Sequence, residues 1–219
     1  MRPVACYEHW MQFIYEPISD AQAAAQREVY EPLTDAVREL LDATIRTEAD
    51  AATVEEARRA IEAATALLRT DQIDGPFGVR FTLEGEGQSW GNPVIGIRNP
   101  MAPPLEIHRE EDLRCWSEFE LGAAYEGPPN HVHGGVSALI LDHILGEVAS
   151  AGLTKPLFTG TISCRYLRGT PLGRLRTEAW IDRVDGIKTY AKGFIADVDG
   201  PTVEAEGVFI QPAWARDTQ

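Results

Sequence analysis

The feature that most constrains this fold is one apolar helix followed by four strand-like segments. The helix is predicted to begin near Gly134 and to end at Gly152, a residue type favoured just after the last helical turn. The strand-like segments cover residues 157–168, 174–184, 188–198 and 202–210. Asp-Gly pairs at 185–186 and 199–200 indicate hairpin turns between the last three. An apolar helix has to be enclosed, so we expect an α+β fold in which an antiparallel sheet wraps one long helix.

Residues 18–70 have a different composition, rich in alanine and acidic residues, and are predicted to be helical. Ser19 and Thr53 each begin a capping-box pattern. Pro32 is expected to end one helix and open the next, because proline lacks the backbone N–H that a helix interior uses. Short strand candidates follow at residues 77–83, 94–98 and 113–121. We therefore expect a helical N-terminal extension at residues 1–75 and the main domain at residues 76–219.

Charge and cysteine content narrow the class of protein. The net charge is −14 over 219 residues, which argues against a nucleic-acid-binding or anionic-membrane surface. Cys6, Cys115 and Cys164 are widely spaced and form no CxxC pair, a pattern typical of reduced thiols. Glu8 and His9 interrupt the apolar stretch that a signal peptide requires, and no segment is apolar for long enough to span a membrane. These features predict a cytoplasmic protein without a nucleic-acid or membrane partner.

Two glycines open the predicted apolar helix, where backbone N–H groups lack intrahelical partners and the helix dipole is positive. Gly134 and Gly135 have no Cβ, so a substrate atom can approach these N–H groups closely. A developing oxyanion suits this place, and one such donor is worth roughly 3 kcal/mol of the activation barrier. A Gly-Gly pair also serves simply as a tight turn into a helix, and both interpretations stay open.

Asp142 lies among apolar residues of the same helix. No opposite charge lies three or four positions away, so the carboxylate has to be hydrogen-bonded or meet solvent in a cleft. A polar position on a partly exposed helix is the alternative. Gly135 and Asp142 are seven residues apart, which places them on one face but roughly 10.5 Å apart along the axis. One substrate carbonyl can meet both groups only if helices of two subunits run antiparallel across a two-fold axis.

The strand after the helix offers a candidate partner for Asp142. In this strand Thr159, Thr161, Ser163 and Arg165 alternate with apolar or small residues, which places the four on one face. Thr159, near the strand start, can hold a water or steady the Asp142 carboxylate. It can equally be a threonine of the kind that strands favour.

The histidines near the helix do not indicate a metal. His131, His133 and His143 fit no tight zinc-binding spacing, so no metal site is expected. We interpret His133 as a loop residue that shapes the site. The chain also has no GxSxG sequence, so a serine nucleophile on a strand-to-helix elbow is not expected.

Residues 127–146, GPPNHVHGGVSALILDHILG, resemble the signature of PaaI-like hotdog-fold acyl-CoA thioesterases. The specific element is HGG with an aspartate at the ninth position after the histidine. The resemblance covers residues 90–211, including NPMAPPL before the helix and the strand that ends Tyr166-Leu167-Arg168. It implies a helix wrapped by an antiparallel sheet, hydrolysis of an acyl-CoA thioester, and homodimers or dimers of dimers with active sites at the dimer interface.

The resemblance also implies roles for individual residues. It assigns the oxyanion N–H to Gly135, and the role of nucleophile or general base to Asp142 of the facing subunit. His133 and Thr159 fall at matching site positions. Some relatives carry an asparagine or glutamine upstream of HGG, and Asn130 is the candidate for it.

A locally basic segment suits the phosphates of CoA. Between residues 165 and 192 there are seven basic residues and three acidic ones, a balance of +4 in an acidic chain. The predicted contacts to the substrate are Arg165 and Arg168, together with Gly134 at the helix start and Asn130 before it. Solvated strand faces explain the same charges equally well. No cofactor is expected, because CoA is part of the substrate, and a non-hydrolytic acyl-CoA-binding protein of the same fold is the alternative function.

Overall fold

The computed structural model describes residues 14–152 and 155–216. Cys6, used above to predict reduced thiols, and Glu8 and His9, used to argue against a signal peptide, lie outside the described residues. Contacts divide the described chain into two units: residues 14–92 with 97–100, and residues 93–96 with those from 101 onward. The predicted domain boundary at 75/76 stays a prediction, because this division does not test whether either part folds alone.

The first unit contains two helices and a small sheet. Helix α1 covers Asp20–Arg46 and helix α2 covers Ala51–Leu68, in agreement with the predicted helical extension. Strands β1 (Ile14–Tyr15), β2 (Arg80–Phe81) and β3 (Gly87–Gln88) form a sheet in that order. β1 runs parallel to β2, and β3 runs antiparallel to it. The strand candidate at 77–83 is thus reduced to the two residues of β2.

The starts of these helices only partly follow the predictions. Ser19 caps α1 and forms the predicted capping box with Gln22. The prediction that Pro32 separates two helices is wrong, because it lies inside α1, which extends for more than three turns on either side. A helix of that length continues past one missing N–H bond. The capping box predicted at Thr53 is also wrong: Asp50 is the N-cap of α2, and its side chain accepts from the Thr53 N–H.

The second unit contains the predicted helix and sheet. Helix α3 covers Gly134–Ala149. The strands are β4 (His108–Arg109), β5 (Cys115–Leu121), β6 (Phe158–Tyr166), β7 (Gly173–Asp185), β8 (Lys188–Asp197) and β9 (Gly200–Ile210). They form one antiparallel sheet in the order β4-β5-β7-β8-β9-β6. In the described chain β6 therefore lies at an outer edge, hydrogen-bonded to β9 alone.

The strand predicted at 94–98 is wrong. Val94 and Ile97 are buried, but the backbone there forms turns. Pro93 and Pro100 flank the segment and have no N–H to donate to a strand ladder. Burial rather than strand pairing explains why this segment is apolar.

The core of the second unit lies between α3 and one face of the sheet. Ile140, Leu141, Ile144 and Leu145 of the helix are 0% exposed. They belong to one apolar cluster that includes Phe209 of β9. Each such side chain contributes about 2 kcal/mol to stability relative to an exposed position. The predicted α+β hotdog architecture is confirmed, and no helix among residues 14–152 and 155–216 has the length and apolar character needed to cross a membrane.

Candidate active site

The start of α3 is capped by a histidine ring. His133 is the N-cap residue, and its Nδ1 accepts a hydrogen bond of 3.0 Å from the Gly135 backbone N–H. A Cβ at Gly135 would lie 3.2 Å from that nitrogen, closer than ordinary van der Waals contact. A side chain at this position would therefore press on the ring, and glycine leaves room for its close approach. The N–H predicted as oxyanion donor is engaged by His133 in this structure.

The neighbouring glycine is in contact with the end of β6. The Tyr166 hydroxyl donates a hydrogen bond of 2.8 Å to the Gly134 carbonyl oxygen. A Cβ at Gly134 would lie 3.3 Å from Cε1 of the same ring. The sequence analysis named Tyr166 only as part of the strand end. The one sequence signal for this contact is an aromatic residue that closes the strand after the helix.

Asp142 is half-buried and hydrogen-bonded to the strand that follows its helix. The Thr159 hydroxyl donates to Asp142 Oδ1 at 2.9 Å. Asp142 Oδ2 makes no hydrogen bond within the part of the chain that the structure describes. One carboxylate oxygen is thus fixed, and the other is left to accept a proton or to attack.

A β-bulge at Gly160 brings Thr159 to Asp142. Thr159 is paired with Phe209 of β9 and Thr161 with Val208, so Gly160 is an extra residue without a partner. Ile162 packs against the core, and strict alternation from it would turn Thr159 to the opposite face. The bulge reverses that alternation and directs Thr159 toward α3. The predicted grouping of Thr159 with Thr161 and Ser163 on one face is therefore wrong.

Asn130 has a structural reason to be asparagine. Its φ is +61°, in the left-handed region that asparagine tolerates better than most residues. Its backbone N–H donates to Glu126 Oε1 at 2.6 Å, and its carbonyl accepts from the Leu172 N–H at 3.2 Å. These bonds fix the loop before HGG. A role of the Asn130 side chain in substrate binding stays a prediction.

The three histidines have separate environments. His131 Nδ1 lies 2.8 Å from the Pro129 carbonyl oxygen, and His133 caps the helix. His143 is nearly buried, 3.6 Å from the Glu147 carboxylate, and burial lowers the pKa of its imidazole. Glu147 pairs in turn with Arg109 of β4. Within residues 14–152 and 155–216, no three histidine, cysteine, aspartate or glutamate side chains form a metal-binding group.

The predicted basic segment is largely paired with carboxylates. Arg168 forms a two-pronged ion pair with Asp197, which lowers the pKa of that carboxyl to about 2. Arg176, Arg183 and Lys192 also have carboxylate partners within 4 Å. Several of these partners come from other strands, which a count within residues 165–192 does not include. The interpretation as charged strand faces holds for these four residues.

An open cavity of about 450 Å³ lies at the ends of β5, β7 and β8. It contains none of the predicted site residues. Its charged lining consists of three carboxylates and two guanidinium groups: Glu118, Glu120, Asp197, Arg174 and Arg176. Because the carboxylates outnumber the cations, we do not assign this cavity to an anionic substrate.

Comparison with known proteins identifies the family. The thioesterase superfamily model matches residues 129–204, a range that contains α3, Asp142 and Thr159. A thioesterase superfamily protein of known crystal structure is 32% identical, with a TM-score of 0.74, over 90% of this chain and 98% of that chain. The chain belongs to the thioesterase superfamily. This confirms the resemblance to hotdog-fold thioesterases, and membership supports thioester hydrolysis as the general activity.

Two further solved structures are similar over about half of this superfamily member. A protein from Bacillus halodurans, solved with CoA, is 25% identical over 48% of this chain and 72% of that chain, with a TM-score of 0.43. A phenylacetic acid degradation-related protein from Ralstonia eutropha is 20% identical over 48% and 83%, with a TM-score of 0.45. Neither similarity is close enough to transfer a ligand or a substrate to this chain.

Proposed function

We propose that this protein hydrolyses acyl-CoA thioesters to a free acid and CoA. The observation that carries the proposal is the Asp142 carboxylate, half-buried on an apolar helix and fixed through one oxygen by Thr159. A carboxylate in that position is held for chemistry, because an apolar side chain would pack there at no desolvation cost. Membership of the thioesterase superfamily supports a thioester as the bond that is cleaved.

Two reaction routes are open to Asp142. As general base, it takes a proton from water while the water oxygen bonds to the thioester carbon, and the proton then passes to the departing CoA sulfur. As nucleophile, its free oxygen attacks the same carbon, CoA leaves as the thiolate, and water then cleaves the resulting anhydride, one of its protons going to the thiolate and the other to the released acid. The Thr159 bond favours both routes, since it orients the carboxylate. The two routes differ in whether a covalent intermediate forms.

The negative charge on the carbonyl oxygen needs a donor, which we assign to the Gly135 N–H at the positive end of α3. His133 Nδ1 accepts from this N–H without substrate. The substrate carbonyl would replace the ring nitrogen, so one acceptor is exchanged for another at little net cost. His133 thereby keeps the donor free of bound water until the thioester arrives.

The separation of Gly135 and Asp142 along α3 supports a site shared by two copies of the chain. Seven residues correspond to roughly 10.5 Å, too far for one carbonyl carbon and its oxygen. The edge strand β6 supports the same proposal, since Phe158 and Tyr166 at its two ends, and Leu167 directly after it, are all at least 42% exposed. We therefore propose a homodimer, alone or paired into a tetramer, in which Asp142 of one subunit faces Gly135 of the other.

Substrate contacts are proposed at the mouth of this shared site. Gly134 and Asn130 belong to the loop and first turn that surround the oxyanion donor. Arg165 on β6 has no ion-pair partner among the described residues and can bind a CoA phosphate. Arg168 would first have to exchange Asp197 for a phosphate.

The test is hydrolysis of short, long and aromatic acyl-CoAs by the unmutated chain and by Asp142→Asn. Asparagine keeps the volume but neither attacks nor accepts a proton, so we expect turnover to fall by at least about a hundredfold. Asp185→Asn, at the β7–β8 turn, is the matched control and should retain wild-type turnover. Equal turnover of Asp142→Asn and the control would remove Asp142 from the mechanism.

A non-hydrolytic acyl-CoA-binding protein is the second candidate. The observation in its favour is that the Gly135 N–H is already engaged by His133. The same experiment separates the two functions. Saturable binding of acyl-CoA without release of the CoA thiol would identify a binding protein.

A further inference from the structure

Tyr166 bonds to the peptide group that contains the proposed oxyanion donor. Its hydroxyl donates to the Gly134 carbonyl oxygen at 2.8 Å, and this carbonyl and the Gly135 N–H belong to the same planar peptide unit. The oxygen and the N–H of a trans peptide point in opposite directions. A bond that fixes the direction of the oxygen therefore also fixes the direction of the N–H.

This peptide unit needs an external restraint more than others in the helix. It joins two glycines, which have the greatest backbone freedom of all residues, in the first turn, where the backbone N–H groups lack intrahelical acceptors. From one side the His133 ring contacts the N–H, but the substrate has to replace that contact. The Tyr166 bond is made to the opposite end of the unit and can persist while substrate is bound.

We propose that Tyr166 is a positioning residue for the reaction: through the Gly134 carbonyl it aims the Gly135 N–H at the developing oxyanion. The inference rests on the proposed thioesterase function. Hydrogen bonding to the carbonyl oxygen also polarises the peptide and strengthens the N–H as a donor.

The surroundings of Tyr166 suit this role better than one in core packing. The residue is 53% exposed in the single chain, so it adds little to the apolar core of its own subunit. Partial burial, and then the Cys164 thiol, raise the pKa of Tyr166 above its ordinary value, so the hydroxyl keeps the proton that it donates. The ring lies against Gly134, where a Cβ would be 3.3 Å away, and this contact holds the hydroxyl over the carbonyl.

Tyr166→Phe tests the inference, because it removes the hydroxyl and leaves the ring against Gly134. Tyr125→Phe is the matched control: it also removes a hydroxyl bond to a backbone carbonyl, that of Met101 at 2.9 Å. We expect Tyr166→Phe to lower kcat about tenfold and to change KM by less than about twofold, since an oxyanion donor acts mainly in the transition state. Tyr125→Phe should retain the wild-type kcat.

A spectroscopic readout tests the hydrogen bond without any substrate. The chain contains a single Gly-Gly pair. Glycine label also enters serine, but no serine of this chain is next to a glycine. Labelling with glycine that carries ¹³C at the carbonyl and ¹⁵N at the amide therefore gives one directly bonded ¹³C–¹⁵N pair, Gly134–Gly135. Its single cross-peak should move in Tyr166→Phe, with the carbonyl carbon less deshielded. The cross-peak should stay in place in Tyr125→Phe.

The outcomes distinguish the inference from the proposed function. An unmoved cross-peak, or a moved one with kcat within about twofold of the unmutated chain, would overturn the positioning role while the thioesterase proposal stands. Failure of the unmutated chain to hydrolyse any thioester would overturn the proposed function and the positioning role together. In that case the cross-peak would still report whether the hydroxyl bonds to Gly134.

Discussion

Thr159 and Asp142 lie 17 positions apart in sequence, yet the hydroxyl of one is 2.9 Å from the carboxylate of the other. The bond leaves a single Asp142 oxygen without a partner among the described residues. This oxygen is the one that can accept a proton or attack the thioester carbon. A carboxylate with two free oxygens would sample more orientations. Orientation of this kind is a large part of what an active site contributes to rate.

Thr159→Val should therefore lower activity without unfolding the protein. Valine keeps the branched shape, loses the hydroxyl, and leaves Asp142 less restrained, so we expect kcat to fall about five- to twentyfold. Thr161→Val, on the other side of the Gly160 bulge in the same strand, is the control and should retain the wild-type kcat. Steady-state kinetics with one acyl-CoA decide the matter, and equal losses in both variants would indicate general damage to β6.

Arg165 and Arg168 should differ in their effect on substrate binding. Arg168 is already held by Asp197, whereas Arg165 has no ion-pair partner in the described chain. Arg165→Met is expected to raise KM for an acyl-CoA about five- to tenfold, and Arg168→Met by less than about twofold. The same acyl group on N-acetylcysteamine, which has no phosphates, should show no change in KM for either variant. A larger effect at Arg168 would indicate that the pair with Asp197 opens for CoA.

Some of these residues could be predicted from the sequence and others could not. Asp142 stood out because a carboxylate in an apolar helix has few structural explanations, and the Gly-Gly pair stood out beside it. The contact to Thr159 could not be derived from alternation, because the extra residue at Gly160 reverses it. Tyr166 was not predicted as a site residue, because its bond to Gly134 depends on where an edge strand ends relative to a helix start.

At the scale of elements, α3 has an apolar face in the core and also carries a largely buried polar pair, His143 and Glu147. His143 and Glu147 are one turn apart, and Glu147, only 6% exposed, is held by Arg109 of β4. Arg109 thus connects the short edge strand β4 to the second half of the helix. The groups that act on His143 are Glu147 and Asp142 on its own helix and Arg109 on the sheet.

His143 should make stability depend on pH below neutrality. Burial lowers its pKa in the folded state below the ordinary 6.5, so the unfolded chain takes up the proton first as pH falls. The contribution is complete above pH 6.5 and is lost as pH falls toward the folded-state pKa. His143→Gln, neutral at every pH, should lose less stability than the wild type between pH 7.5 and 5. Urea unfolding at several pH values measures this, and a constant difference between the two proteins would contradict it.

The long elements were predicted better than the short ones. α3 and β7 to β9 have their own periodicity and Asp-Gly turns, so local sequence specifies them. Val94 and Ile97 have the composition of a strand, but they are buried on turns. Pro32 is a local signal for a helix break that the surrounding helix overrides. Local patterns therefore predict where residues are buried more reliably than which backbone shape buries them.

For the whole molecule, the central question is which subunit supplies each catalytic group. On one α3, Gly135 and Asp142 are separated by roughly two turns of helix. In a shared site, Tyr166 of one chain supports the donor of one active centre, while Thr159 of that chain supports the carboxylate of the other. Each β6 strand would then serve both centres of the dimer.

Mixing two inactive variants should restore activity if sites are shared. One subunit carries Asp142→Asn and the other Gly135→Val, whose side chain would displace the His133 ring and fill the space for the carbonyl. In the mixed dimer both changes fall in one site and the other is intact, so we expect about half of wild-type activity per heterodimer. The measurement is hydrolysis rate against mixing ratio after subunit exchange. Background activity from heterodimers shown to have formed would contradict a shared site.

Gly160 has no side chain to offer the reaction and no partner residue on β9, yet the chemistry depends on its presence. Removing it would restore strict alternation in β6 and turn the Thr159 hydroxyl away from Asp142, while every catalytic side chain remained in the chain. A larger residue in its place would have to displace the Ile210 side chain, because a Cβ there would lie 2.6 Å from Ile210 Cδ1. In this strand the number of residues, and not only their identity, determines whether Thr159 can hydrogen-bond to the Asp142 carboxylate.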